Sequence, residues 1–226
     1  MTGQIDHTSD APTRAKAIFK RLRKHYPRAT TALNWSNPLE LLVATILSAQ
    51  CTDQRVNQVT ANLFPKYRTT RDYAQADPAR FEQEIRTAGF FRQKTKSIIK
   101  AAQEILDRFD GCVPDTMEEL TSLPGVARKT ANVVLGTAFG KNEGIAVDTH
   151  VGRVSLRLAL SPGAKDSKDA VCIEQDLMKL IPRKDWTFFS HAMILHGRQV
   201  CHAAKPQCPI CPLLDLCPAG QERVSG

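Results

Sequence analysis

Four cysteines lie close together near the C-terminal end of the sequence, in the pattern Cys201-x6-Cys208-x2-Cys211-x5-Cys217. Prolines stand between and after them, so we predict a non-helical loop that wraps around a bound ligand. Four thiolates at these separations are typical of a site for Zn²⁺ or for an iron–sulfur cluster. The spacing matches neither the paired zinc-ribbon pattern nor the bacterial ferredoxin pattern. It therefore predicts a metal site but leaves the metal open.

The other cysteines, Cys51, Cys112 and Cys172, are far apart and lack the spacing of metal ligands. We predict that they are reduced, partly buried thiols. The histidines at positions 150, 191, 196 and 202 have no carboxylate or cysteine partner that spacing reveals. We therefore assign them structural roles.

A lysine and an aspartate are candidates for covalent catalysis. We place Lys129 in the first turn of a helix beside Arg128, where the helix dipole and the neighbouring charge both disfavour the ammonium form. An amine nucleophile requires this loss of charge. Asp148 follows the apolar run Ile145-Ala146-Val147, which would hold it near a buried edge. The ordinary alternatives are a solvated lysine and an aspartate that only caps a helix.

A tight turn precedes Lys129 in the segment Leu123-Pro-Gly-Val-Ala-Arg-Lys-Thr130. A Pro-Gly turn that leads into a helix leaves several backbone N–H groups unpaired and pointing the same way. With the positive end of the helix dipole behind them, these groups are typical of a phosphate site. The alternative is a simple connection between two helices.

The elements that carry these residues are helical in pattern nearly throughout. Asn37, Pro38 and Glu40 have the types and spacing of an N-cap, a first helical residue and a capping glutamate. Later helical periods end at Gly89 and Gly111, and the last predicted helix is 186–195. No alternating strand of useful length is present, so we predict an all-α fold of compactly packed helices.

Charge and length narrow the function classes. The 226 residues include 31 Lys and Arg against 23 Asp and Glu, a net charge of +8 that suits a polyanionic partner. We place this surplus on one face, at Arg92, Lys94, Lys96, Arg128, Lys205 and the N-terminal helix, whose basic residues are Arg14, Lys16, Lys20, Arg21, Arg23, Lys24 and Arg28. The longest apolar stretch, 41–49, is too short for a membrane span, and no apolar signal core precedes Arg14.

Several of these segments resemble the endonuclease III family of DNA glycosylases. Residues 123–135 resemble its helix–hairpin–helix, and 147–153 resemble its catalytic-aspartate segment. The spacing from Cys201 to Cys217 is similar to that of its [4Fe-4S] loop, and 47–53 resemble its early DNA-facing turn. The likeness extends over almost the whole chain, from about Ala15 to Cys217.

The resemblance implies a two-lobed helix–hairpin–helix glycosylase fold with DNA held between the lobes. A six-helix lobe would cover 35–144, with the hairpin at about 117–139. Residues 1–34 and 145–226 would form the second lobe, which contains the cluster loop 201–217. The implied cofactor is a [4Fe-4S] cluster, with Cys201, Cys208, Cys211 and Cys217 as its ligands.

The same resemblance implies a base-excision repair enzyme that flips a damaged pyrimidine out of double-stranded DNA. Lys129 would attack C1′ of the sugar and form a Schiff base, and β-elimination would then cut the strand. Asp148 would stabilise the positive charge that develops on the sugar and assist proton transfer. We expect a monomer that acts on damaged or abasic DNA in the cytoplasm, at the nucleoid, without a membrane.

Residues that would contact DNA also follow from the resemblance. Gln50 matches the family's side chain that fills the gap left in the DNA base stack by the flipped nucleotide. The segment Gly89-Phe90-Phe91-Arg92 matches the family's second loop that inserts between bases. For Phe90 and Phe91, ordinary core packing is the alternative. The full set of expected DNA contacts is Gln50, Phe90, Phe91, Gly125, Ala127, Arg128, Thr130 and Lys205.

The sequence departs from the family pattern at two single positions and in one segment. Ala127 stands where a second hairpin glycine is usual, and Gly152 where a larger side chain is common. The segment between Lys129 and Asp148 is slightly longer. Two alternatives remain: a monofunctional mismatch glycosylase, which would lack the nucleophilic lysine, and a non-enzymatic helix–hairpin–helix DNA-binding or iron–sulfur redox-sensing protein.

Overall fold

The computed structural model describes residues 5–225, and within this range all regular structure is helical. The helices, in chain order, are α1 Ala11–His25, α2 Pro38–Leu47, α3 Asp53–Leu63, α4 Thr70–Ala74, α5 Pro78–Ile85, α6 Phe91–Phe109, α7 Met117–Ser122, α8 Arg128–Ala138, α9 Thr149–Arg157, α10 Ala170–Leu180, α11 Trp186–Gln199 and α12 Pro218–Ser225. The predicted all-α class is confirmed. No helix among the described residues is long and apolar enough to cross a membrane.

The chain divides into two compact units. The continuous unit, Thr31–Lys141, contains α2 to α8, and the discontinuous unit joins the residues up to Thr30 with those from Asn142 onward. Each unit has its own core of buried apolar side chains. We keep the lobe limits expected from the resemblance, 35–144 and 1–34 with 145–226, as a proposal.

Local sequence signals set the ends of the main helices in the continuous unit. The Asn37 side chain accepts from the backbone N–H of Glu40 at 3.0 Å, and the Glu40 carboxylate in turn accepts from the backbone N–H of Ser36. These bonds satisfy N–H groups that the start of α2 would leave unpaired. The helix that they fix is central to the unit, since every residue from Leu41 to Leu47 is buried.

The basic helix α1 packs on the discontinuous unit through Ala15, Ile18 and Leu22. The prediction that Arg14 contributes to the basic face for a polyanionic partner is wrong, because this residue is only 7% exposed. Its guanidinium donates to the backbone carbonyls of Leu158 at 3.2 Å and Ala159 at 2.9 Å, which follow α9. Arg14 therefore joins the N-terminal segment to a distant part of the chain.

Three predictions about the helices need correction. The sequence pattern does not predict α4 and α12, and α11 ends at Gln199 instead of the predicted residue 195. The cysteine loop also contains two short 3-10 turns, Cys208–Ile210 and Leu214–Leu216. A turn of this length needs only one i→i+3 hydrogen bond, such as the one from the Cys211 N–H to the Cys208 carbonyl at 3.0 Å, and the prolines do not remove it.

Candidate active site and cysteine loop

The tight turn before Lys129 joins α7 to α8 in the continuous unit. Its backbone closes through a hydrogen bond from the Val126 N–H to the Leu123 carbonyl at 3.1 Å. Gly125 has φ +80°, and a Cβ atom there would lie 2.6 Å from the Cβ of Ser97 on α6. Glycine is therefore required twice, for its left-handed backbone and for the close approach to α6.

Helix α8 begins directly after this turn. Its N-cap, Ala127, has an extended backbone that any residue adopts and no side chain that could accept from the first N–H groups. The departure from glycine at this position therefore costs no backbone strain. Arg128 and Lys129 are exposed in the first turn, and Thr130 is half-buried. An anion at this helix start would meet backbone N–H groups, the helix dipole and two cationic side chains.

Asp148 is the N-cap of α9 in the discontinuous unit. Its Oδ1 atom accepts from the backbone N–H groups of His150 at 2.8 Å and Val151 at 2.9 Å. The preceding run, Ile145 to Val147, is buried, and the Ser190 hydroxyl on α11 donates to the Ala146 carbonyl at 2.7 Å. The half-buried carboxylate is thus positioned by the bonds to the start of α9 and by the buried run before it. Both capping bonds use Oδ1, and Oδ2 takes no part in them.

Two histidines lie close enough to Asp148 to feel its charge. Burial lowers the pKa of His191 to about 4, and the Asp148 carboxylate opposes this shift only in part. Burial also lowers the pKa of His150, again against the effect of Asp148. Both imidazoles are therefore neutral near pH 7.

The two turns expected to enter DNA both lie in the continuous unit. Gln50 follows α2 and is exposed, with φ +52°. Phe90 precedes α6 and is 64% exposed, with φ +46°. Phe91 packs against the core of the unit instead. Of the two phenylalanines, Phe90 is therefore the one presented to solvent.

The basic residues do not all reach the surface. Arg92, Lys96 and Lys205 are exposed, as predicted for residues of a DNA-facing surface. Lys94 is only 4% exposed, so its predicted place on a DNA-facing surface is wrong. The helical period offers a signal, because Lys94 lies four residues before the buried Ile98 on the same face of α6.

The four C-terminal cysteines line one pocket in the discontinuous unit, together with residues of α9, α11 and α12. Their neighbours suit thiolate ligands: the Leu213 N–H donates to the Cys211 sulfur at 3.4 Å, and the Arg157 guanidinium donates to the Cys201 sulfur at 3.2 Å. A Cβ at Gly220 would lie 3.3 Å from the Cys217 sulfur, so glycine leaves this wall open. Within residues 5–225, no three metal-binding side chains converge on a single ion site.

One histidine contact of the cysteine loop is not evident from spacing. The Nε2 atom of His196 lies 3.6 Å from the Cys211 sulfur, and its Nδ1 atom lies 3.2 Å from the Tyr26 hydroxyl. Outside the loop, Cys51 and Cys172 are half-buried as expected. Cys112 is exposed, so its predicted partial burial is wrong. It lies just after the Gly111 turn, where the chain leaves α6.

The structure thus fixes Lys129 within the continuous unit, and Asp148 with the cysteine loop within the discontinuous unit. Arg153 and Arg157 of α9 connect the helix that Asp148 caps with the cysteine loop. Arg153 donates to the Cys201 carbonyl at 3.0 Å, and Arg157 donates to the His202 carbonyl at 2.7 Å. Nothing in the local sequence indicates this link, since the partners lie more than forty positions apart.

Comparison with known proteins agrees with these features. Residues 43–183 match the family model described as HhH-GPD superfamily base excision DNA repair protein. Endonuclease III of Synechocystis sp. is 53% identical over 221 residues, which cover 98% of this chain and 99% of the relative.

Two solved structures also match at 45% identity. The structure of a non-covalent endonuclease III–DNA complex has a TM-score of 0.89 and covers 95% of this chain and 99% of its own. The structure of a trapped endonuclease III–DNA covalent intermediate has a TM-score of 0.88 and covers 94% of this chain and 98% of its own. The chain therefore belongs to the HhH-GPD superfamily of base-excision DNA repair proteins and, within it, to the endonuclease III family.

Proposed function

We propose that this chain is a DNA glycosylase and abasic-site lyase that removes damaged pyrimidines from double-stranded DNA through the amine of Lys129. The observation that carries the proposal is the position of Lys129, exposed in the first turn of α8 directly after the hairpin turn. A relative of 45% identity has been trapped as a covalent intermediate with DNA, and such trapping requires a nucleophile.

In the proposed reaction, the Lys129 amine attacks C1′ of the flipped nucleotide. A bond from Nζ to C1′ forms, the bond from C1′ to the base breaks, and the base leaves with a proton. The sugar ring then opens to an imine. Loss of a C2′ proton expels the 3′ phosphate, which cuts the strand, and water finally releases the sugar from the lysine. Asp148 would stabilise the positive charge on the sugar as the base departs.

Binding would combine phosphate contacts with insertion into the base stack. The start of α8 would hold a phosphate through Gly125, Ala127, Arg128 and Thr130. Gln50 and the Phe90 turn would fill the space that the flipped nucleotide leaves, and Lys205 would add a backbone contact. Release of counterions makes such binding fall steeply with salt.

The lysine is tested by borohydride trapping on duplex DNA with an abasic site or thymine glycol. Wild type is expected to form a covalent adduct, and Lys129→Ala is expected to form none. Lys66→Ala is the matched control, because Lys66 is an exposed lysine of the same unit whose ammonium pairs with the Glu84 carboxylate on the surface. An undiminished adduct with Lys129→Ala would overturn the assignment.

We also propose that Cys201, Cys208, Cys211 and Cys217 hold a [4Fe-4S] cluster. Their shared pocket and the N–H groups aimed at two of the sulfurs support it. When bound, the cluster would supply a rigid cross-link for the loop. Purified protein should carry about four irons and four sulfides per chain. Cys211→Ser should lose them and Cys112→Ser should keep them, whereas stoichiometric zinc would contradict the proposal.

We further propose that the protein acts as a monomer on damaged and abasic DNA in the cytoplasm, at the nucleoid. The mass in solution, measured by light scattering with and without a short lesion-containing duplex, tests the first part. A single chain per duplex is the expected result.

A further inference from the structure

Lys94 is a buried lysine that the proposed reaction does not use. It lies on α6 with only 4% of its surface exposed. Its Nζ atom donates to two backbone carbonyls, those of Leu47 and Ala88, each at 2.8 Å. Burial lowers the pKa of this ammonium, and the Cys51 thiol is the titratable group that opposes the shift. A buried cation is costly, so its two partners define where it must sit.

Both carbonyls belong to the ends of helical segments. Leu47 is the last residue of α2, and Ala88 is the last residue of the 3-10 turn Arg86–Ala88. Carbonyls at helix ends lack partners within the helix and carry partial negative charge, so an ammonium is a suitable group to bind them. Lys94 therefore joins the ends of two helical segments, and no other hydrogen bond between these ends is described.

Each carbonyl lies shortly before one of the two inserting turns. Gln50 follows Leu47 by three residues, and Phe90 follows Ala88 by two. Both side chains are exposed, and both residues have a left-handed backbone, with φ +52° and +46°. Such conformations persist in residues other than glycine only where the surroundings hold them. The backbone N–H of Lys94 also donates to the Phe90 carbonyl at 3.1 Å. Lys94 therefore contacts the Phe90 turn through its side chain, at the Ala88 carbonyl, and through its backbone.

We propose that Lys94 is a positioning residue for base flipping, which fixes the distance between the Gln50 turn and the Phe90 turn so that both enter the duplex together. The inference rests on the proposed function, because it assumes that these two side chains insert into DNA. An apolar side chain at position 94 would leave both carbonyls buried without a donor, and each turn would then settle independently.

Lys94→Met tests the idea, since methionine has nearly the same volume but cannot donate. On duplex DNA with thymine glycol, single-turnover base release is expected to fall about ten- to a hundred-fold, as for a misplacement of about 1 Å. Trapping on single-stranded abasic DNA is expected to change less than about two-fold, because no stack must be filled there. Equal losses on both substrates would mean that Lys94 only supports folding, and would overturn the proposal.

A double-mutant cycle keeps the test decisive if Lys94→Met folds poorly. Lys94→Gln retains a donor, and Phe90→Ala removes one inserting side chain. If Lys94 acts through the turn, Lys94→Gln should slow duplex base release less in the Phe90→Ala background than in wild type. Strict additivity would contradict the proposal.

The two proposals fail in different ways. If wild type forms no adduct on any substrate, then the lyase assignment fails. If wild type forms the adduct and Lys94→Met matches its rate on duplex DNA, then only the positioning role fails. Fluorescence of 2-aminopurine beside the lesion, measured in the Lys129→Ala background, reports flipping without chemistry. Lys94→Met should reduce its rise.

Discussion

Replacement of Asp148 by asparagine separates two roles that this side chain combines. The structure shows it as the N-cap of α9, where one oxygen, Oδ1, accepts both backbone hydrogen bonds. An asparagine amide oxygen can accept the same two bonds, but the neutral amide lacks the negative charge that would stabilise a cationic sugar. Asp148→Asn should therefore keep the helix end and lose the reaction, whereas Asp148→Ala should lose both.

The stability changes follow from the capping geometry. Loss of an N-cap side chain costs about 0.5–2 kcal/mol, and loss of a negative charge at a helix N-terminus costs about 0.3–1 kcal/mol. Asp148→Asn should therefore lower the free energy of unfolding by only the second amount, and Asp148→Ala by both, about 1–3 kcal/mol in total. Urea unfolding at pH 7 measures these differences in the free energy of unfolding.

The activity change should be much larger than the stability change. Loss of the charge or of proton transfer is expected to slow single-turnover base release from thymine-glycol duplexes by about 100-fold or more in both variants. Asp169→Asn is the matched control, since Asp169 caps α10 in the same unit through the Cys172 N–H. If Asp148→Asn released the base at the wild-type rate, then Asp148 would be a helix cap and nothing more.

Two further predictions concern the stability of the discontinuous unit. Because burial lowers the pKa of His191 to about 4, stability should be full above about pH 6.5 and fall as the pH drops toward 4, by about 2 kcal/mol at pH 5. His191→Gln should remove this part of the pH dependence in urea unfolding, and an unchanged dependence would contradict it. A Cβ at Gly152 would lie 2.1 Å from the Ser167 carbonyl oxygen, so Gly152→Ala should lose about 1–3 kcal/mol. Gly163→Ala, whose Cβ would meet only ordinary contacts, should be nearly neutral in the same assay.

Features that depend on neighbouring residues could be predicted from the sequence. The start of α2 follows from Asn37, Pro38 and Glu40, and its N-cap bond is present in the structure. Gly111 has the positive φ expected just after a helix end, at +78°. The turn before α8 likewise needs its glycine. In each case the physical cause lies within a few residues, so the local pattern contains it.

Features that depend on distant residues could not be predicted from the sequence. Lys94 and Arg14 each lie four residues before a buried isoleucine on the same helix face, but the carbonyl partners that make their burial possible are 47 and 144 positions away. At Gly152, where the resemblance leads us to expect a larger side chain, only the structure shows that the Ser167 backbone occupies the space of a side chain. The same limit applies to His196, whose contact with Cys211 joins α11 to the cysteine loop.

The contacts of α9 connect the cysteine loop to Asp148, independently of the DNA contact that we propose for Lys205 in the same loop. The helix has nine residues and is therefore about 13 Å long, with Asp148 capping its first turn. At its other end, Arg157 donates to the carbonyls of His202 and Ala203, both at 2.7 Å. Because Arg153 and Arg157 tie the helix to the loop, we expect a displacement of the loop start to act on the helix that Asp148 caps. An ordered loop therefore supports the position of the Asp148 carboxylate, in addition to the two backbone hydrogen bonds that this carboxylate accepts at the start of α9.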